Sequence, residues 1–388
     1  MQPAYVRDVM AEEEELKLHA QSAVLIDAET GRVLYEKDGN IKRPMASTTK
    51  IMTCIIALEQ GNLNDEVEVS SYAASMPDVQ LGMRTGERYH LEDLLYSLML
   101  ESHNDSAVAI AEHIGGTVEN FATMMNQKAR DIGCGDSCFV TPNGLDGTRK
   151  MDGMPHSTTA ADLAKMMSYC VSKSPKKNEF LKITQTVSRT ITDLGMRRSF
   201  YLSNHNALLT MLPEALSGKT GFTGDAGYCY VGAFEKKDKM FVAALLACGW
   251  PPHKTYKWED MRKLSGYGIN NYEYYEIFER NKSFPALKII DGKSEYVPLS
   301  LCIGEQNQTL KVLLKQGEVP NIRYEYPKSI KAPVEAGMAV GSASYYVNDF
   351  LIACYPIYAV GDVDKIDFNW CLKGCIETFL FEKRLSFM

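Results

Sequence analysis

Two strand pairs bracket a long helical stretch, and this order limits the fold more than any other feature. "SAVLIDAETGRVLYEKDGN" (Ser22 to Asn40) is two β-like runs around Glu29-Thr30-Gly31. "GYCYVGAFEKKDKMFVAALLAC" (Gly227 to Cys248) is a second hairpin, turning across Glu235 to Lys239. Between them lie helical patterns after Ser47, from His90 to Leu100, from Asn104 to Gly116, from Thr117 to Gly133 and from Thr158 to Val171. Helical propensity returns near Trp258 to Tyr267. Strands at both ends of a helical block predict an α+β fold, an antiparallel sheet with helices packed on it.

The texture changes at Lys282, where short β runs with Gly, Pro and Asn turns predict a small all-β domain. The expected organisation is a flexible acidic segment at 1–20, a main domain at 21–281, a β-rich domain at 282–364 and an amphipathic tail at 365–388. In that tail Phe368, Leu372, Cys375 and Phe379 fall near one helical face, with Lys373, Lys383 and Arg384 adding positive charge. It suits either a membrane interface or docking on the β domain or a partner.

Lys plus Arg number 42 against 49 Asp plus Glu, a net charge of -7 that argues against nucleic-acid binding. The ten cysteines contain no CxxC, which makes a structural zinc site a poor reading. Cys54, Cys229 and Cys248 lie in apolar runs and read as core. "CGDSC" (Cys134 to Cys138) fits a small disulfide or two thiols, and the thiol reading is preferred. "MQPAYVRDVMAEEEE" has no apolar signal-peptide region, and no apolar run approaches a membrane span.

"RPMASTTKIMTCIIALEQG" (Arg43 to Gly61) holds the chemistry. Ser47 and Lys50 are three apart at the start of an otherwise apolar helix and share a face. A buried lysine is costly unless paired or neutral, and a neutral one can take a proton from a serine hydroxyl. The plain alternative is a helix cap beside a lysine reaching for water. The same spacing at Ser174 to Lys177 carries Pro175 and lacks the apolar helix, so it reads as a solvated turn.

Two further pieces follow. "ESHNDS" places Ser102 and Asn104 just after an apolar helix, where a loop would line a pocket. "SGKTGFTGDAG" places Lys219, Thr220 and Gly221 before a strand. Lys219 and Thr220 would point to opposite faces of a regular strand, and Gly221 admits close backbone approach. A phosphate loop is rejected, because Pro213 stands where its first glycine belongs.

Ser-x-x-Lys, Ser-x-Asn and Lys-Thr-Gly, in that order, resemble the signature set of penicillin-recognising serine enzymes. The whole chain resembles the serine-type D-alanyl-D-alanine carboxypeptidases, the low-molecular-mass penicillin-binding proteins. "TPNGLDG", "HSTTAADLAKM" and "FYLSNHNALL" resemble further stretches of that family. The resemblance implies a β-lactamase/transpeptidase-like fold and no cofactor or metal. It also implies a peptidoglycan stem peptide ending in D-Ala-D-Ala as substrate, acylation by β-lactam antibiotics, and peripheral membrane contact through the tail. The expected location is extracytoplasmic, on the outer face of the cytoplasmic membrane, with an export sequence already removed.

By the same resemblance Ser47 is the nucleophile and Lys50 its base. Ser102 relays a proton to the leaving amine. Asn104 holds the substrate amide and Lys50, and Lys219 supplies positive charge. Thr220 binds the terminal carboxylate. The N–H groups of Ser47 and Phe222, beside Gly221, form the oxyanion hole. Lys257 stands by register where members often carry an arginine, and lysine lacks the bidentate fork. A β-lactamase is disfavoured for want of a Glu-x-x-Leu-Asn base. A transpeptidase or endopeptidase would use the same site, and a poorly catalytic penicillin-binding sensor would keep the same fold.

Overall fold

The computed structural model describes residues 16–303 and 308–385. It divides into two compact units, one ending at Tyr272 and one running from Glu273. The break precedes the change of sequence texture at Lys282, because Tyr272–Glu276 is a strand that pairs with Lys311–Lys315.

The first unit is built on a five-stranded sheet. Its strands are β1 (Ser22–Asp27), β2 (Val33–Lys37), β3 (Ala215–Thr223), β4 (Gly227–Lys236) and β5 (Lys239–Leu246), in spatial order β2-β1-β5-β4-β3. All the pairings are antiparallel. Both hairpins form where the sequence placed them. The second turns on Lys237 and Asp238, whose φ values of 52° and 63° suit a tight two-residue turn. β1 and β5 come from opposite ends of the unit and lie side by side, Ser22 opposite Leu246 and Asp27 opposite Phe241.

Side chains alternate across this sheet. Val24, Ile26, Val231, Ala233, Val242 and Ala244 face the main helical core. Leu25 and Phe241 face the other way, against Gly268 of a C-terminal helix. Both layers are buried, which is why these strands read as nearly continuous apolar runs.

The helices that matter to the site are α1 (Lys50–Gln60), α2 (Asn104–Gly115), α3 (Val118–Ile132), α4 (Ala160–Ser168) and α5 (Tyr256–Asn271). α1 is buried from Lys50 through Leu58 and packs against α2, α3 and α4. A helix enclosed on all sides has no polar stripe, which explains its unbroken apolar sequence. Fully burying each of Ile51, Ile55 and Leu58 stabilises by about 1.5–3 kcal/mol. Thr117 and Thr159 cap α3 and α4 by accepting from the N–H groups of Asn120 and Asp162. α4 lies on one face of the sheet, and α5 covers β4 and β5.

Three sequence expectations meet particular outcomes here. Cys134 and Cys138 are both buried free thiols. Ser174 is not solvated: it is buried and donates to Glu59 at 2.7 Å, although Pro175 and Lys177 are exposed. Residues 1–15 of the acidic segment lie outside the described residues. Just after them the chain is tied to α5, with Ala20 N donating to Asp260 at 2.8 Å and Lys263 Nζ to Lys17 O at 2.6 Å.

The second unit is β-rich. A four-stranded sheet runs in the order Leu299–Ser300, Phe350–Ala359, Ala339–Val347 and Asn321–Glu325, beside a three-stranded one. Its core gathers Phe278, Leu287, Leu301, Tyr345 and Ile357. A helix, α6 (Phe368–Leu385), follows. Phe368, Trp370, Leu372, Ile376 and Phe379 are exposed on it. Among the described residues no helix is long and apolar enough to cross a membrane.

Candidate active site

Ser47 lies in a 3-10 turn, Ala46–Thr49, that feeds directly into α1. The turn is held in an uncommon backbone state. Ala46 has φ of 48°, the left-handed region that an L-residue occupies only under restraint. Thr49 Oγ1 donates to Ala46 O at 2.8 Å, and Thr48 Oγ1 donates to Met45 O at 2.6 Å. Two glycines press on the turn. A Cβ on Gly144 would lie 2.0 Å from Ala46 O, and one on Gly221 would lie 2.9 Å from Ser47 N. Each can only be glycine for the backbones to meet this closely.

Lys50 is the first residue of α1 and is fully buried. Its Nζ lies 2.9 Å from Ser47 Oγ, 2.9 Å from Asn104 Oδ1 and 2.6 Å from the carbonyl of Asn143. Burial holds its pKa well below the ordinary lysine value, and the charge of Lys219 pushes the same way against the opposing pull of Asp105. As an ammonium it has three acceptors for three protons. As an amine it can donate to Asn104 and Asn143 and turn its lone pair on the Ser47 hydroxyl, the arrangement a general base requires.

Ser102 ends the helical stretch before α2 with φ of 69°. Lys219, in the middle of β3, donates to its Oγ at 3.0 Å and to Thr220 O at 2.9 Å. Burial lowers the Lys219 pKa to about 7. Asn104 is the first residue of α2 rather than part of the loop, and its Nδ2 donates to Pro77 O at 3.1 Å. Asp105, beside it, is buried and accepts from the N–H groups of Leu81, Gly82 and Met83 at 2.9–3.2 Å, fixing that loop over α2. His103 turns away, its Nδ1 at 2.8 Å from Ser97 Oγ.

Thr220 is half-buried and Phe222 exposed, with the Phe222 ring packed on Tyr228 across the hairpin. Lys219 alone of Lys219 and Thr220 is buried, as alternation along β3 demands. Lys257 reaches the same region from α5. Its ammonium lies 4.6 Å from the Tyr228 ring centre and 4.8 Å from that of Trp258, and it donates to Lys254 O at 2.7 Å. Burial lowers its pKa.

The structure thus forms two hydrogen-bonded groups, Ser47 with Lys50 and Asn104, and Ser102 with Lys219, near enough that the charge of Lys219 acts on Lys50. Sequence reasoning missed Asn143 and Asp105. Asn143 acts through its carbonyl, which no side-chain pattern reveals. The glycine that follows it was the available signal, since Gly144 has φ of 86° and marks a backbone contact.

Comparison with known proteins identifies the family. Residues 8–248 match the peptidase S11 family model, D-alanyl-D-alanine carboxypeptidase, and residues 272–365 match the penicillin-binding protein 5 C-terminal domain. The chain is 30% identical over 367 residues to the D-alanyl-D-alanine carboxypeptidase DacF of Bacillus subtilis, covering 92% of this chain and 90% of that one. Penicillin-binding protein 5 of Haemophilus influenzae superposes with a TM-score of 0.71 at 25% identity, over 90% of this chain and 99% of that one. A mutant of the Streptomyces K15 DD-transpeptidase superposes with a TM-score of 0.58 at 27% identity, over 66% of this chain and all (100%) of that one. The chain belongs to the peptidase S11 family of D-alanyl-D-alanine carboxypeptidases.

Proposed function

We propose that this carboxypeptidase works through an acyl-enzyme on Ser47, with Lys50 as the base that forms it. The observation that carries the reading is the buried Lys50 Nζ, 2.9 Å from Ser47 Oγ and held toward its neutral form. Ser47 Oγ attacks the carbonyl carbon between the two D-alanines, and its proton passes to Lys50. The negative charge that develops on the carbonyl oxygen is met by the N–H groups of Ser47 and Phe222. The C–N bond then breaks. Ser102, in contact with Lys219, delivers a proton to the departing amine and is resupplied with the one Lys50 took from Ser47, so Lys50 is again neutral as D-alanine leaves. Water cleaves the ester and restores Ser47. Lys219, Thr220 and Lys257 receive the terminal carboxylate, and Asn104 holds Lys50 and the substrate amide.

The same steps leave a β-lactam bound to Ser47, since its strained amide and carboxylate sit as the D-Ala-D-Ala ones do. The test is D-alanine release from a diacetyl-Lys-D-Ala-D-Ala peptide by the protein and by Ser47→Ala. Release lost in the variant supports the reading, and release retained would sink it. Similarity to a DD-transpeptidase gives the assay a second arm: transfer of the acyl group to an added amine would assign that activity instead.

The substrate class places the enzyme outside the cytoplasm, at the cell wall. The exposed apolar side chains of α6 support peripheral contact with the membrane there. Co-sedimentation with anionic vesicles should be lost when residues 366–388 are deleted, and retained binding would remove α6 from that role.

A further inference from the structure

The mechanism makes no use of His156, yet this imidazole lies buried between the two elements that hold Ser47 and Lys50. Its Nδ1 accepts from Val140 N at 3.0 Å and from Thr141 N at 3.4 Å. Two N–H groups aimed at Nδ1 put the ring proton on Nε2. Nε2 lies 2.7 Å from Thr49 Oγ1, so it donates there. Thr49 Oγ1 in turn donates to Ala46 O at 2.8 Å, on the left-handed residue just before the nucleophile.

The other side of the ring serves Lys50. Val140 and Thr141 lead into Pro142 and Asn143. Pro142 O accepts from Thr53 of α1 at 2.6 Å, and Asn143 O accepts from Lys50 Nζ at 2.6 Å. Phe139 meets the imidazole edge-on, with ring centres 5.9 Å apart.

We propose that His156 is a positioning residue for acylation: through Thr49 it fixes the Ala46–Ser47 turn, and through Val140 it fixes the carbonyl that orients Lys50. One rigid ring therefore sets the separation between nucleophile and base. It touches neither substrate nor reacting atom. Burial keeps it neutral by lowering its pKa to about 4, so the donor and acceptor ends stay fixed at working pH. This role rests on Ser47 as the nucleophile and Lys50 as its base.

The test severs the chain without opening a cavity. Thr49→Val keeps the shape and removes the hydroxyl. Its rate of acylation by benzylpenicillin and its kcat for peptide should fall about 10- to 100-fold, the scale for a small misplacement of reacting groups, with KM nearly unchanged. Thr49→Ser, which restores the hydroxyl, should recover most of the rate. His156→Phe, which frees Val140 as well as Thr49, should lose at least as much, and the double variant Thr49→Val with His156→Phe should lose no more than His156→Phe alone, as members of one chain do. A Thr49→Val protein that acylates at the normal rate, a serine variant that fails to rescue, or losses that multiply would each overturn the role. Where His156→Phe does not fold, the Thr49 pair decides the question. Ser47→Ala is run alongside. If it still takes the adduct, the nucleophile assignment fails first, and this role with it.

Discussion

Replacing Gly221 by alanine should damage the oxyanion hole, and the contact distances give the scale. The new Cβ would lie 2.9 Å from Ser47 N, 3.0 Å from Thr48 N and 3.1 Å from Ala46 Cβ. None of these is the tip of a flexible side chain. Two are main-chain nitrogens, and the third belongs to a residue fixed at φ of 48°. Restoring ordinary contact at about 3.4 Å moves β3 and the Ser47 turn apart by about 0.5 Å. Oxyanion donors work only within about 2.7–3.1 Å of the developing charge, so a shift of that size takes Phe222 N or Ser47 N out of range. Losing one such donor costs about 10²–10³-fold in rate. The strain should also cost about 1–3 kcal/mol of stability. The assay pairs the second-order rate of benzylpenicillin acylation with a urea melt. Gly224→Ala is the control, since a Cβ there meets nothing within 4 Å. A folded Gly221→Ala protein acylating within about threefold of normal would refute the placing of the hole at this contact.

The lysines offer two more tests. Lys219 titrates near pH 7 when folded against 10.5 ordinarily, so on acidification from 10.5 the unfolded chain takes up the proton first. Stability is thereby lost at about 1.4 kcal/mol per pH unit down to about pH 7, where the slope ends. Between about pH 7.5 and pH 9.5 the unfolding free energy should therefore rise by about 2 kcal/mol more than that of Lys219→Met, and parallel pH dependences would contradict this. Lys257→Met should raise KM several-fold with kcat nearly constant, as expected for a charge that only helps bind the carboxylate. An unchanged KM would leave Lys257 as a buried cation stacked on Tyr228 and Trp258.

Much of the site was legible in the sequence, because its main groups are side chains in three short, separated patterns. Ser47 and Lys50 are neighbours on one helix, and a lysine inside an apolar run is a conflict that calls for a partner. The partners themselves were less visible. Asn143 offers a main-chain carbonyl, Asp105 binds main-chain N–H groups, and His156 works from inside the core through Thr49. None has a spacing that marks it, and all three depend on loops brought together only by the fold. The fold was legible for a related reason. β1 and β5 must bury both faces, and their continuous apolar runs say so. Ser174 was misread because its local sequence is polar, while its burial comes from Glu59 on the distant α1. Lys257 was found only by its register, and its stacking on two rings could not be read from α5 alone.

The central claim is that Ser47 carries the acyl group and Lys50 generates it. The most direct measurement is intact and peptide mass spectrometry after exposure to benzylpenicillin, on the protein, on Ser47→Ala and on Lys50→Met. The account predicts one penicilloyl group on the peptide that contains Ser47, none on Ser47→Ala, and acylation slowed by at least about 10²-fold in Lys50→Met. An adduct on another residue, or one that forms at the normal rate without Lys50, would contradict it.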